Sequence, residues 1–172
     1  MSQLREALEN RLTESYQVYY DVEKTPDEGS LKVRCAYHAR QSQYVLVKKA
    51  EIWAAENHEY LYLHSMPQLT CADVERISEA VFTEGLTLVR PHKEHMYTYL
   101  TAIILCDEAE PDAVKLLQKV KKRREFKLSL HGWMELRIAV VDLSTAEIST
   151  NRPARDLVKG LRPFVDTVLK SI

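Results

Sequence analysis

No run of apolar residues in this chain approaches the ~18 that suggest a membrane-spanning helix. The longest, Leu100–Cys106, is already interrupted by Thr101. Neither charge sign dominates: 24 Lys and Arg stand against 25 Asp and Glu, for a net charge of −1 and a pI near 6.6. The molecule as a whole therefore has no bias toward nucleic acid or an anionic membrane, and any such affinity has to be local. Cysteine is sparse. Cys35, Cys71 and Cys106 form no C-x-x-C unit, which excludes a zinc knuckle and a thioredoxin-type pair and leaves buried, inert thiols as the expectation. A Gly-rich loop, an H-E-x-x-H motif, helix-turn-helix and RRM signatures, low-complexity tracts and internal repeats are all missing. The opening MSQLREALENRL is charged, without the basic flank and apolar core of a secretory signal. A cytoplasmic protein with no cofactor, no metal and no membrane partner is expected.

What is present is an ordinary globular composition, 45% hydrophobic and 28% charged over 172 residues, enough for one domain with a proper core. The chain is organised around Tyr44–His64. This stretch reads as a long strand, a turn at Glu56-Asn57-His58-Glu59 and a second strand, pairing Ala55 with Tyr60, Trp53 with Tyr62 and Glu51 with His64. A change of alternation phase at Lys48-Lys49 predicts a bulge near Lys48–Ala50.

The remaining elements follow from periodicity. Apolar spacing predicts helix one over Gln3–Tyr20, capped by Ser2, and a polar loop over Glu23–Ser30. Leu31–His38 alternates as a strand with one wet face, with Cys35 set near Val47 and Tyr37 near Val45. Thr70 and Asp73 resemble a capping box opening helix two, which Gly85 ends, leaving Leu86–Val89 extended. Tyr97–Cys106 is apolar on both faces, as for a central strand covered by helices on both sides. Pro111 opens helix three. Even-numbered apolar positions from Phe126 to Val140 read as a strand bent at Gly132, returning through Ile148–Thr150, and Asn151 caps the last helix. The expected fold is α+β, a single domain over residues 1–172. Its mainly antiparallel sheet combines a three-stranded N-terminal meander with C-terminal strands and about four helices, in the order α-β-β-β-α-β-α-β-β-α.

Four groups of residues carry chemistry. Glu51 and His64, with Glu56, His58 and Glu59 nearby, could form an acid/base couple beside Trp53, although cross-strand Glu–His and Trp–Tyr pairs equally stabilise ordinary sheets. His92-Lys93-Glu94-His95 would need a helical backbone and further ligands to hold a metal, and Pro91 argues for a loop. Lys119, Lys121, Lys122, Arg123, Arg124 and Lys127 could contact phosphates, but no neighbouring aromatic in the sequence interleaves to stack bases. Asp107, with Glu108, Glu110 and Asp112, could bind magnesium after a central strand or serve as the acidic preface to a helix.

The order helix, three strands, helix, strand over Gln3–Cys106 resembles that of the restriction-endonuclease-like fold. The resemblance implies a metal held by an acid on the second strand, where Glu51 would stand, and an acid-x-Lys on the third, where Tyr60-Leu61-Tyr62-Leu63 departs from the pattern. Three functions follow as expectations. The first is a non-enzymatic interaction or regulatory protein, forming a homodimer or meeting an unidentified protein partner through Tyr16, Tyr19, Tyr20, Tyr60, Tyr62, Tyr97 and Tyr99. The second is a divergent metal-dependent nuclease or nucleic-acid binder using Glu51, Asp107 and the Lys119–Arg124 end. The third is a small-ligand sensor with Trp53, Tyr60 and Tyr62 around its pocket.

Overall fold

The computed structural model describes residues 3–25, 29–45 and 50–170, with side chains described except at residues 40–54. Its elements are α1 (Gln3–Tyr16), β1 (Asp21–Lys24), β2 (Leu31–Val45), β3 (Ala50–Leu69), α2 (Cys71–Leu88), β4 (His95–Ala109), α3 (Pro111–Lys119), β5 (Arg123–Glu125), β6 (Trp133–Asp142), β7 (Glu147–Thr150), a 3-10 turn (Arg152–Ala154) and α4 (Leu157–Leu169). The seven strands form one sheet in the order β1-β2-β3-β4-β6-β5, with β7 also on β6. Among the described residues no helix is long and apolar enough to cross a membrane.

The sheet is mixed rather than mainly antiparallel. The N-terminal meander β1-β2-β3 is antiparallel, but β3, β4 and β6 run parallel to one another. Parallel neighbours need a crossover, and α2 and α3 supply the two crossovers. Both pack on one face, where Val74, Ile77, Val81, Ala113 and Leu117 meet even-numbered residues of β4 and β6 such as Leu100, Ile104, Leu136 and Ile138. On the other face Leu8 and Leu12 of α1 and Leu161, Val165 and Val168 of α4 meet Leu61, Leu63, Ile103, Leu105, Ala139 and Val141. β4 is thus covered on both sides, as its continuous apolar run predicts.

The turn expected at Glu56–Glu59 is absent: β3 runs unbroken through it, and β2 and β3 meet at the register pair Val45↔Ala50. The pairs built on that turn fall with it. Tyr60 lies opposite Ala36, Tyr62 opposite Arg34 and His64 opposite Leu31, while Cys35 pairs with Leu61 and Tyr37 with Glu59. Register shifts occur at Leu31/Val33 and Gln43/Tyr44; of the bulge expected near Lys48–Ala50, Lys48 and Lys49 lie outside the described residues, as does the Ser2 cap, and Ala50 begins β3. Within the expected loop Glu23–Ser30, the start is strand β1.

Two helix ends also differ. Thr70 and Asp73 do close a reciprocal capping box at α2. Gly85, however, lies inside α2 because the helix crosses Leu100 there. A Cβ at Gly85 would stand 2.7 Å from Leu100 Cδ2 and closer still to Cδ1, in a core where Leu100 is fully buried. Gly85→Ala should therefore lower stability by about 1–2 kcal/mol in urea unfolding, overpacking outweighing the gain in helix propensity. Asn151 does not cap the last helix; its side chain is buried against β6.

The segment read as a strand at Phe126–Leu130 is a left-handed turn. Lys127, Leu128 and Ser129 have φ of 47°, 53° and 66°, and Leu130 N–H donates to Lys127 O at 3.0 Å and His131 N–H to Phe126 O at 3.1 Å. Left-handed backbone costs a residue with a Cβ about 1 kcal/mol or more. It survives here because both ends are tied: Phe126 N–H donates to Gly132 O at 3.0 Å, and His95 Nδ1–H donates to His131 O at 2.7 Å.

Candidate functional site

The expected acid/base residues do not assemble. His64 faces α2, where burial first, then repulsion from Arg76 and Arg34, pushes its imidazole down to about 4. Asp107 lies on the opposite face, ion-paired to the buried Arg5 at 2.8 Å. Glu51 sits thirteen positions before His64 on the same strand, roughly 40 Å away at ~3.3 Å per residue; its side chain and that of Trp53 lie outside the described residues. The buried His64 has a consequence of its own. Its folded value is below the unfolded value of about 6.5, so the unfolded chain binds the extra proton. That contribution to stability is complete above pH ~6.5 and is lost as the pH falls toward 4, by about 3 kcal/mol at most. Comparing urea midpoints at pH 7 and 4.5, His64→Gln should show a correspondingly smaller loss than the native chain.

Tyr60 and Tyr62 border a cavity of about 340 Å³ together with Arg34, Glu84 and Leu88, near the lower size limit of ligand pockets. Of the basic group, Lys122 pairs with Glu79 at 2.6 Å, and Lys119, Lys121 and Arg124 are exposed. Arg123 instead lies over the Trp133 ring.

Two clusters that the linear sequence keeps apart meet at the N-terminal ends of β4 and β6. One lies on the α2/α3 face and joins the Glu56–His58 segment to the His92–His95 segment. His38 and His58 are cross-strand partners whose Nδ1 atoms lie 2.7 Å apart, so one imidazole donates and the other accepts. His58 Nε2 is 3.7 Å from Glu56 Oε2, and His92 Nε2 is 2.9 Å from the same oxygen. His95 stacks on His58 at 6.0 Å, donates to His131 O and contacts Thr98 Oγ1 at 2.9 Å. Burial, then His38 and His95, hold the His58 imidazole below its ordinary value. Among the described residues no three His, Cys, Asp or Glu side chains are arranged to hold a metal ion; these groups satisfy one another by hydrogen bonds.

The second cluster spreads over the α1/α4 face in successive register rows. One row runs Asn57, Tyr97, Trp133, Glu125; the next Tyr37, Glu59, Tyr99, Glu135, Arg123; the third Leu61, Thr101, Arg137. Tyr97 and Trp133 stack at 5.3 Å, with Tyr99 edge-on to Trp133 at 5.6 Å. Arg123 lies 4.1 Å over Trp133 and Arg137 4.5 Å over Tyr99, geometry that favours a cation on an aromatic face. The basic segment therefore does have an aromatic partner, delivered by strand pairing rather than by sequence. Each cation is also balanced: Arg123 faces Glu125 at 3.5 Å and Glu135 at 3.7 Å, and the buried Arg137 meets Asp156 at 2.6 Å and Glu59 at 3.7 Å. Glu59 further accepts from Tyr20 at 2.7 Å and Thr101 at 2.6 Å; burial, then the bond to Glu59, raises the Tyr20 phenol strongly. Tyr20 also meets Tyr16 and Tyr37, each at 5.7 Å. Trp133 and Arg137 carried no sequence signal beyond their types, since their value comes from the register of β6.

A family model described as a domain of unknown function, DUF8052, matches residues 5–163. The chain belongs to that family. The DUF8052 match contains both clusters in full. No curated protein and no solved structure matches the chain.

Proposed function

We propose that this chain is a non-enzymatic, cytoplasmic interaction or regulatory module that pairs as a homodimer through the half-open aromatic rows of the α1/α4 face. The observation that carries this reading is the balanced Tyr97–Tyr99–Trp133 patch. Tyr, Trp and Arg are the residue types that dominate binding energy at protein interfaces. The same patch holds cations and carboxylates together, which makes it complementary to a two-fold copy of itself. A polyanion would instead have to compete with Glu125, Glu135, Glu59 and Asp156 for the two arginines, which weighs against the nucleic-acid reading at this surface.

Sedimentation equilibrium at high micromolar concentration tests it. A dimer is expected, weakened at least tenfold by Arg123→Ala, which leaves the core untouched, and by Trp133→Ala. A monodisperse monomer at that concentration removes the dimer. Titration with labelled DNA and RNA at low salt, with and without magnesium, tests the nuclease alternative, for which binding or cleavage is required.

A further inference from the structure

The β5–β6 hairpin ends in an apolar tip. Leu128 is 93% exposed, Leu130 76%, and Met96, whose carbonyl lies against Gly132 at the hairpin base, 52%. Most other leucines of the described chain pack into or against the two cores, and the exposed Leu86 and Leu88, at 47% and 37%, are far less open than Leu128. The exposure at the tip comes from backbone geometry. Three successive left-handed residues, none of them Gly or Asn, hold Leu128 at the apex, and the base of the turn is pinned by hydrogen bonds to Gly132 and His95. The tip is a fixed projection.

Its surroundings have a sign. From Lys119 to Lys127 the chain carries six cations and one carboxylate; Lys122 and Arg123 are ion-paired with Glu79, Glu125 and Glu135, which leaves Arg124 and Lys127 as the cations nearest the tip. Arg124 and Lys127 are exposed beside the leucines, and the segment leading into β4 adds exposed Arg90 and Lys93 at the same end of the sheet. Exposed aliphatic side chains surrounded by lysine and arginine match an anionic bilayer, where the apolar groups enter the acyl boundary and the cations remain among the head groups.

We propose that the Phe126–Gly132 turn is a docking site for anionic phospholipid surfaces, with Leu128 and Leu130 as the inserting groups and Arg124, Lys127, Arg90 and Lys93 as the electrostatic collar. The site is separate from the aromatic rows of the α1/α4 face. Its cations follow the rule that membrane affinity in a molecule of near-zero net charge must be local.

Co-sedimentation with vesicles tests the proposal, comparing pure phosphatidylcholine with a 7:3 mixture of phosphatidylcholine and phosphatidylserine. The full chain should partition to the mixed vesicles and weakly to the neutral ones, with binding falling at 0.5 M salt. Leu128→Asn combined with Leu130→Ser should reduce partition by about a hundredfold without changing the melting temperature, since both side chains are exposed and asparagine tolerates left-handed backbone. Lys127→Gln with Arg124→Gln should abolish the preference for the charged vesicles. The proposal is overturned if the native chain ignores both vesicle types or if the leucine variant partitions equally well. Absence of vesicle binding, together with a leucine-dependent change of mass in sedimentation, would also overturn it and assign the tip to a second copy of the chain.

Discussion

Asn151→Ala should destabilise the protein by about 3–5 kcal/mol, measured from urea unfolding at pH 7. Between the β5 pairing, which reaches Glu135, and the β7 pairing, which starts at Ala139, β6 has no continuous neighbour on that side. The Asn151 amide occupies the gap. Its Oδ1 accepts from Ile138 N–H at 3.0 Å, and its Nδ2 donates to Leu136 O at 3.0 Å and Val120 O at 3.2 Å. The residue is fully buried, so water cannot replace the lost partners. Leaving a buried donor or acceptor unpaired costs about 1–3 kcal/mol each. Asn151→Asp should be no milder, because an oxygen would then face the two carbonyls. A loss under 1 kcal/mol for Asn151→Ala would mean that β6 re-pairs without the bridge.

Gly132→Ala should cost about 3 kcal/mol or more and release the hairpin from the sheet. Gly132 has a φ of 75°, left-handed backbone that alanine adopts at a cost of about 1 kcal/mol. A Cβ there would also lie 2.6 Å from both His95 O and His95 Nδ1, and against Met96 O. Main-chain atoms at the head of β4 cannot yield as a side chain does, so the overpacking cost adds to the strain. Hydrogen exchange localises the effect: the Phe126 and His131 amides should lose protection first. If the change proves neutral, the hairpin base is looser than its hydrogen bonds imply, and the proposed fixed projection of Leu128 fails with it.

The misplaced turn shows where local reading stops. Glu56-Asn57-His58-Glu59 has the polarity of a loop, and polarity is a legitimate turn signal. In the folded chain three of these four side chains are satisfied from outside the segment, Glu56 by His92, His58 by His38, and Glu59 by Tyr20 and Thr101, while the Asn57 Oδ1 is buried without a hydrogen bond. A strand tolerates such a run once its neighbours supply cross-strand partners. Phe126–Leu130 is the reverse case. Its alternating leucines satisfy the strand pattern, yet hydrogen bonds from Phe126 N–H to Gly132 O and from His131 N–H to Phe126 O close a turn that leaves those leucines without a core.

The sequence alone determined what depends on neighbours within a few residues. The Thr70–Asp73 box starts α2 because both partners lie in one turn, and the two-sided apolar run of β4 requires cover by helices wherever the strand sits. The tertiary structure decided which segments meet. His38, His58, His92 and His95 converge, and Arg123 reaches the face of Trp133, because strand order and register set those distances, and a strand's own pattern is compatible with many partners. Parallel pairing of β3, β4 and β6 was settled in the same way, since alternation records which face is buried and not which strand lies beside it.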